Sequence, residues 1–246
     1  MLQEKQSITN QEIQNEFGVS YDSAKRDLRI LEEKGLLKRT HGGAIPTRQI
    51  GSQYQIGDLT AKERCENVMP NYLAIAKRAL QMIEKNDVIF LTSASIGYLM
   101  ANHFPKELAC TVVTNSITIA ETLRAKENVN TVLLGGEMKK NGCIYDGFAI
   151  EMLQRIRFDK AFLTSACVSA EFGLSIQRSR NLAIYDEIIQ GSKKVIGLYP
   201  TGKIGMNSVI SICPVNKLDV LITDDDASEE DLTAIEELDV HIVIAE

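Results

Sequence analysis

The sequence predicts an α/β protein in two parts, a small N-terminal winged helix-turn-helix followed by a larger Rossmann-like domain built on a mainly parallel sheet. Three observations lead there. Two capped amphipathic segments joined by a short glycine-containing turn are followed by a Gly-Gly turn between two short stretches. Beyond residue 69, short apolar runs alternate with segments of helical period. The 246-residue chain, 44% hydrophobic, is also long enough for one sizeable core plus a small module.

In chain order, Thr9 is a good N-cap, and Glu12 three residues on completes a T-x-x-E capping box. Ile8 before the cap and Ile13 within the helix fit a hydrophobic staple, and Ile13 and Phe17 lie one turn apart on one face. Gly18 gives a sharp stop, Val19 plugs the turn, and Ser20 caps a second helix expected over about Tyr21 to Lys34. Ala24, Leu28 and Leu31 line one side of it; Asp22, Arg26 and Arg29 point the opposite way, with Lys25 on the flank. Gly35 ends the helix. Leu36 to Arg39 reads as a wing strand, and His41-Gly42-Gly43-Ala44 as the tight turn and return.

This is the pattern of a DNA-recognition helix with a β-wing. The N-terminal part of such a helix meets base edges, so Tyr21, Asp22, Lys25 and Arg26 are the candidates for readout, framed by Ser20 and Ser23. Arg26 can read guanine through its bidentate fork. Arg29 suits a phosphate, which positions without specifying. Lys38, Arg39, His41 and Gly42 place the wing on the DNA backbone. From Val19 to Arg48 seven basic residues face four acidic ones, net +3, on a chain of net −6. A locally basic module on an acidic body fits double-stranded DNA better than general polyanion affinity. The bland alternative is a helical scaffold with a solvated charged face.

Composition excludes several classes. No run reaches the roughly 20 apolar residues of a membrane span, and the polar N-terminus is not a signal peptide. Cys65, Cys110, Cys143, Cys167 and Cys213 are odd in number and widely spaced, which argues against a disulfide framework and a zinc site and for a reducing cytoplasm. No cofactor motif is present. His103 and His241 have no partners at ligand spacing.

Pro46 to about Asn67 breaks the pattern and reads as a linker, so the domains are taken as 1–46, 47–68 and 69–246. In the last, helices are expected over Tyr72–Glu84, Ile96–His103, Ile117–Ala125, Phe148–Ile156, Ala183–Gln190 and Glu229–Leu238. Strands are expected over Val88–Leu91, Cys110–Thr114, Val129–Leu134, Lys160–Leu163, Val195–Leu198, Val220–Ile222 and His241–Ile244. Ligands of parallel sheets bind beyond the carboxyl ends of the strands. There stand Ser93 and Ser95 after one strand, Thr114, Asn115 and Ser116 after another, and Gly135-Gly136 after a third. Hydroxyls and free N–H groups at helix N-termini suit an anion, which points to a phosphorylated small molecule. Equally, Ser95 and Ser116 can be plain N-caps and the glycines plain turn formers. Asp224-Asp225-Asp226 could hold a cation, but lacks a matching carboxylate; capping and solvation explain it better.

The N-terminal stretch Val19-Ser20-Tyr21-Asp22-Ser23-Ala24-Lys25-Arg26-Asp27-Leu28, with Gly35-Leu36-Leu37-Lys38-Arg39-Thr40-His41-Gly42-Gly43-Ala44, closely resembles the DeoR family signature V-S-x-x-T-I-R-R-D-L … G-x-L-x-R-x-H-G-G-A. Val113-Thr114-Asn115-Ser116, Leu134-Gly135-Gly136, Asp159-Lys160-Ala161-Phe162-Leu163 and Leu221-Ile222-Thr223-Asp224 resemble landmarks of the family's effector domain, which is similar to sugar-phosphate isomerases. The resemblance implies a sensor of phosphorylated sugars or related metabolites that tunes operator affinity. Departures are concentrated at the pocket. The family's L-D-x-G-T-T-T loop stands as Leu91-Thr92-Ser93-Ala94-Ser95-Ile96-Gly97. Its D-x-S-K-F stands as Pro200-Thr201-Gly202-Lys203-Ile204, which keeps Lys203 for a phosphate, and an expected lysine aligns with Tyr185. The family also carries a longer first helix before Gln6-Ser7-Ile8, so the two helices here are expected to present apolar faces without that partner.

The expectation is a sequence-specific DNA-binding transcription regulator, a repressor, controlled by a small metabolite for which a sugar phosphate is the candidate. It acts as a homo-oligomer, dimer or tetramer, because one helix-turn-helix reads few base pairs. It is not an enzyme and has no metal. The alternatives are a sugar-phosphate isomerase-like enzyme, with Asp186 or Glu187 as the only acids near the right region, and a regulator with impaired DNA binding.

Overall fold

The computed structural model describes residues 8–33, 37–40, 42–46, 59–65 and 70–245. His41, most of the expected linker and the start of the expected wing strand at Leu36 lie outside them.

The N-terminal module runs β1 (Ile8–Thr9), α1 (Asn10–Phe17), α2 (Tyr21–Glu33), β2 (Leu37–Thr40) and β3 (Gly43–Pro46). The capping box forms: Glu12 N donates to Thr9 Oγ1 at 3.1 Å and Thr9 N to Glu12 Oε2 at 2.9 Å. Gly18 closes α1 in the left-handed region. Ser20 Oγ accepts from Ser23 N at 3.2 Å and so starts α2. The wing gains an unforeseen third strand, since β1 pairs antiparallel with β3, which also pairs with β2. Ile8, Ile13, Ala24, Leu28, Leu37 and Ala44 make the small core. Leu31 and Phe17 correct the periodicity reading: they are 36% and 64% exposed. The wing completes this core from one side, and among the described residues nothing packs on the other.

The larger domain contains α3 (Ala61–Cys65), α4 (Pro70–Leu80), β4 (Val88–Leu91), α5 (Ser95–Asn102), β5 (Cys110–Thr114), α6 (Ile117–Arg124), β6 (Val129–Leu133), α7 (Gly147–Gln154), β7 (Phe158–Leu163), β8 (Cys167–Ser169) and β9 (Gly173–Ile176). It continues with α8 (Leu182–Gln190), β10 (Ser192–Leu198), β11 (Ile210–Cys213), β12 (Val220–Asp224), α9 (Glu229–Glu236) and β13 (His241–Ala245). Seven strands form one wholly parallel sheet in the order β13-β12-β10-β7-β4-β5-β6. Alternate residues feed opposite faces. Ile89, Leu91, Val112, Ile196 and Ile222 pack with α4, α5 and α6. Phe90, Val113, Ala161, Leu163, Val195 and Leu221 pack with α7, α8 and α9. Burial on both faces is why these strands read as continuous apolar runs. The Phe90 and Phe158 rings meet edge to face at 5.9 Å.

A second, three-stranded antiparallel sheet, β11-β9-β8, was not foreseen. Its strands are three or four residues long, with serines in their midst, so no apolar run marks them. Asp224 is also corrected. It is 2% exposed and accepts from Thr201 N at 2.9 Å, from the Thr201 hydroxyl and from Asn71 Nδ2 at 2.9 Å. It therefore neither caps a helix nor faces solvent; Ser228 caps α9.

Candidate functional site

Two regions carry chemistry. The first is the outer face of α2. With Ala24 and Leu28 turned inward, Tyr21, Asp22, Lys25, Arg26 and Arg29 are all exposed, and Ser20 and Gly42 are exposed beside them. Ser23, half-buried, is held by Ser20. Arg26 has only a loose 3.7 Å pairing with Asp27, both side chains being more than half exposed, which leaves its fork accessible. Arg39 is drawn back onto α2: its N–H donates to Glu32 Oε1 at 2.7 Å and its guanidinium lies 3.9 Å from Glu32 Oε2. The wing strand thus anchors the recognition helix through a residue expected to meet DNA. The side chains of Lys38 and His41 lie outside the described residues.

The second region follows from strand order. The chain runs β4, β5, β6 toward one edge, then returns beside β4 to run β7, β10, β12, β13 toward the other. The adjacent ends of β4 and β7 form the topological switch point, where sheets of this kind open a crevice that binds ligands. Thr92, Ser93 and Ser95 enter it from β4, and Thr164 and Ser165 from β7. Ser95 is the first residue of α5 and not its cap. Ala94 occupies the cap and supplies no side-chain acceptor, so the first-turn N–H groups of α5 are available to an anion. Thr92 and Ser95 are 6% and 8% exposed.

Lys203 reaches the same place, donating to Ser165 O at 2.8 Å and to Thr164 Oγ1 at 3.3 Å. Tyr185 donates to Thr164 O at 2.6 Å. Tyr199 and Ser165 share a 2.8 Å hydroxyl bond. Burial holds the Tyr145 and Tyr185 phenols well above their ordinary values; Cys143 adds to this in both, while Ser93 and Arg64 respectively act against it. Both phenols are therefore neutral donors at physiological pH.

Arg64 is the residue sequence reasoning missed. It lies in the stretch read as linker, but α3 packs against α5 and α6. Its guanidinium donates to Ser93 O at 2.6 Å and Leu59 O at 3.0 Å, and the next residue's Cys65 Sγ donates to Ser95 O at 3.3 Å. The signal available was Thr60-x-x-Glu63, a second capping-box spacing, which the structure uses.

Thr114, Asn115, Gly135 and Gly136 fall to one side of the crevice. Thr114 Oγ1 accepts from Ser116 N at 3.2 Å within its own loop, and the buried Asn115 amide donates to Ile144 O at 3.0 Å, which pins the loop between β6 and α7. Ser116 caps α6. Gly136 has φ +134°, and a Cβ there would meet Asp146 Oδ1 at 2.2 Å. Asp146 caps α7 and also accepts from Glu137 N, so it stitches this exposed glycine turn to the helix. β6 is two strands from β4, roughly 10 Å away. Of the sequence-derived effector residues, the fold gathers Ser93, Ser95 and Lys203.

Comparison with known proteins identifies both domains. Residues 1–49 match the DeoR-like helix-turn-helix domain, and residues 71–225 the DeoR C terminal sensor domain. The chain is 33% identical over 225 residues to the HTH-type transcriptional repressor GlcR of Bacillus subtilis, spanning 91% of this chain and 84% of that protein. It is 30% identical to a lactose phosphotransferase system repressor of Staphylococcus epidermidis, spanning 94% and 90% of the two chains. It is 28% identical to the L-fucose operon activator of Haemophilus influenzae, spanning 87% and 84%. Among solved structures, ribose 5-phosphate isomerase A of Methanocaldococcus jannaschii aligns with a TM-score of 0.39 at 16% identity, over 56% of this chain and 53% of that one. With a helix-turn-helix at one end, a sensor domain at the other and relatives matched over most of their length, this chain belongs to the DeoR family of transcriptional regulators.

Proposed function

We propose that the protein is a cytoplasmic repressor that binds a double-stranded operator as a homodimer and releases it in response to a phosphorylated metabolite. The observation that carries this reading is the continuous exposed face of α2, set against a buried opposite face. Tyr21, Asp22, Lys25 and Arg26 read bases; Arg29 and the wing, through Lys38, His41 and Gly42, hold the backbone. Two copies are needed because one such helix spans a single half-site. The metabolite seats its phosphate on the α5 N-terminus beside Ser93, Ser95 and Lys203. Domains are 1–46, 47–68 and 69–246, with α3 riding on the third. Arg64 and Cys65 bind α3 to the phosphate loop, so occupancy bears on the segment leading to the wing. The ligand then favours a conformer whose half-site spacing is wrong.

An isomerase-like enzyme is not favoured. It would need a base in the crevice. Glu187 instead accepts from Gln154 on the surface at 2.9 Å, Asp186 is exposed, and Tyr185 holds a backbone carbonyl.

The test is anisotropy on DNA selected from a random pool, against scrambled DNA. Arg26→Ala is expected to lose about 1–3 kcal/mol of discrimination. Arg29→Ala is expected to weaken both DNAs equally and reduce the salt slope by about 1. Equal loss of discrimination in both variants would overturn the assignment of the α2 face.

A further inference from the structure

We infer that the crevice takes a small metabolite with two anionic ends, one of them a phosphate, and that Arg64 receives the second. This rests on the effector reading above and gives the ligand its chemical class. Arg64 and Lys203 stand on the two sides of the switch point. Arg64 is fixed over the loop after β4 by Ser93 O, and Lys203 over the loop after β7 by Ser165 O and Thr164 Oγ1. β4 and β7 are hydrogen-bonded neighbours, with Leu91 opposite Phe162 and Thr92 N on Phe162 O at 3.1 Å. The loop that Arg64 holds also carries the uncapped start of α5 and the buried residues Thr92 and Ser95.

The carbonyls of Ser93 and Leu59 occupy two of the five N–H donors of Arg64. No carboxylate among the described residues comes within ion-pair distance of it. Its neighbour Glu63 spends Oε2 on the Thr60 N–H and hydroxyl, at 2.7 Å each. Asp224, which lies beside Thr201 on the Lys203 turn, is taken up by Thr201 and Asn71. The hydrogen-bond partners of the Arg64 guanidinium among the described residues are therefore neutral carbonyls.

A phosphate monoester satisfies the α5 terminus and one cation. It leaves the other cation partly desolvated with only carbonyl partners, a state that a second anion relieves. Adjacent strand ends set the two anions about 5–10 Å apart, the reach of a three- or four-carbon skeleton.

The experiment is calorimetric titration of the full chain at about 0.15 M salt with two matched pairs. 3-Phosphoglycerate and glycerol 3-phosphate differ by a carboxylate in place of a hydroxymethyl; fructose 1,6-bisphosphate and fructose 6-phosphate differ by one phosphate. In at least one pair the doubly anionic member is expected to bind about tenfold tighter, the size of one charge-assisted hydrogen bond. Arg64→Gln is expected to bring that ratio to within about twofold, and Arg64→Lys to restore part of it. The readout is a ratio within one variant, so any general loosening of α3 affects both ligands and does not imitate it. Equal or tighter binding of the monoester in both pairs, or a ratio that survives Arg64→Gln, overturns the inference while the effector site stands. If none of the four compounds binds, and inorganic phosphate does not either, the inference and the effector reading fall together.

Discussion

Replacing Gly97 by alanine separates a close-packed phosphate loop from an ordinary helix start. Gly97 lies inside α5, where alanine normally gains about 1 kcal/mol over glycine. Here a Cβ would lie 2.0 Å from Thr92 O, 3.1 Å from Thr92 C and 3.3 Å from Ile119 Cδ1. The first contact is more than an ångström too short, and it is with backbone, which cannot swing aside. α5 cannot back away either, since Ile96, Met100 and Ala101 are at most 1% exposed. The strain therefore falls on residues 92–94, which carry the effector loop and the Arg64 contact. Overpacking of this kind costs about 1–3 kcal/mol; because the obstacle is main chain, the upper half of that range applies. The net is about 1–2 kcal/mol of destabilisation, or about 3–6 °C in Tm. Thermal unfolding followed by circular dichroism measures this, and phosphate-ester titration is expected to show weaker binding at the same time. A Tm raised by the ordinary glycine-to-alanine gain, with ligand affinity unchanged, would refute the close approach of α5 to the Thr92 carbonyl.

Three further outcomes are expected. Leu28→Ala opens the small winged core, where Leu28 is 4% exposed; a loss of about 2–4 kcal/mol is expected to abolish DNA binding while the sensor domain keeps its unfolding transition, as calorimetry would show. Asp159 accepts from Lys193 at 2.7 Å and Val88 N at 2.9 Å, and these bonds hold its carboxyl below the ordinary value. Its folded value being the lower one, its stabilisation is complete above about pH 4 and fades as pH falls through the folded value. A Tm gap between wild type and Asp159→Asn, small because Lys193 is exposed, is expected at pH 6 and is expected to shrink as pH falls below about 4; a constant gap would contradict the linkage. Burial pushes the Cys110 and Cys213 thiols up to about 11, with the charges of Asp87 and Asp186 adding to it respectively. At pH 8 the native protein is expected to react with iodoacetamide at these two positions on the order of a hundredfold more slowly than the unfolded chain, as peptide mapping would show.

The legible parts of this protein were those written in short-range spacing. Thr9 and Glu12, Ser20 and Ser23, and Gly18 act within a single helical turn, so the helix-turn-helix could be read residue by residue. The strands from Val88 to Val243 stood out because burial on both faces demands unbroken apolar runs. Residues whose partners lie far along the chain were read less well. Asn115 reads as a ligand group, yet its amide is spent on Ile144 O, 29 residues on. Nothing in the sequence marked the bond by which the Arg39 backbone N–H ties the wing to Glu32 of α2. Leu31 and Phe17 carried the period of a core but found nothing to cover them among the described residues.

By itself the sequence determined the two helices of the DNA-reading module, the strands of the parallel sheet with the helices between them, and the order of the two parts. Those outcomes depend on capping, period and composition, which act over a few residues. Only the tertiary structure decided that β4 lies beside β7, 71 residues apart at Val88 and Asp159, and so where the crevice opens. It also decided that Arg64, from a stretch that reads as linker, is held on the loop after β4 through Ser93 O. Strand order is a contest among non-local packings, in which each candidate pairing buries similar apolar runs, and no local pattern records which one wins.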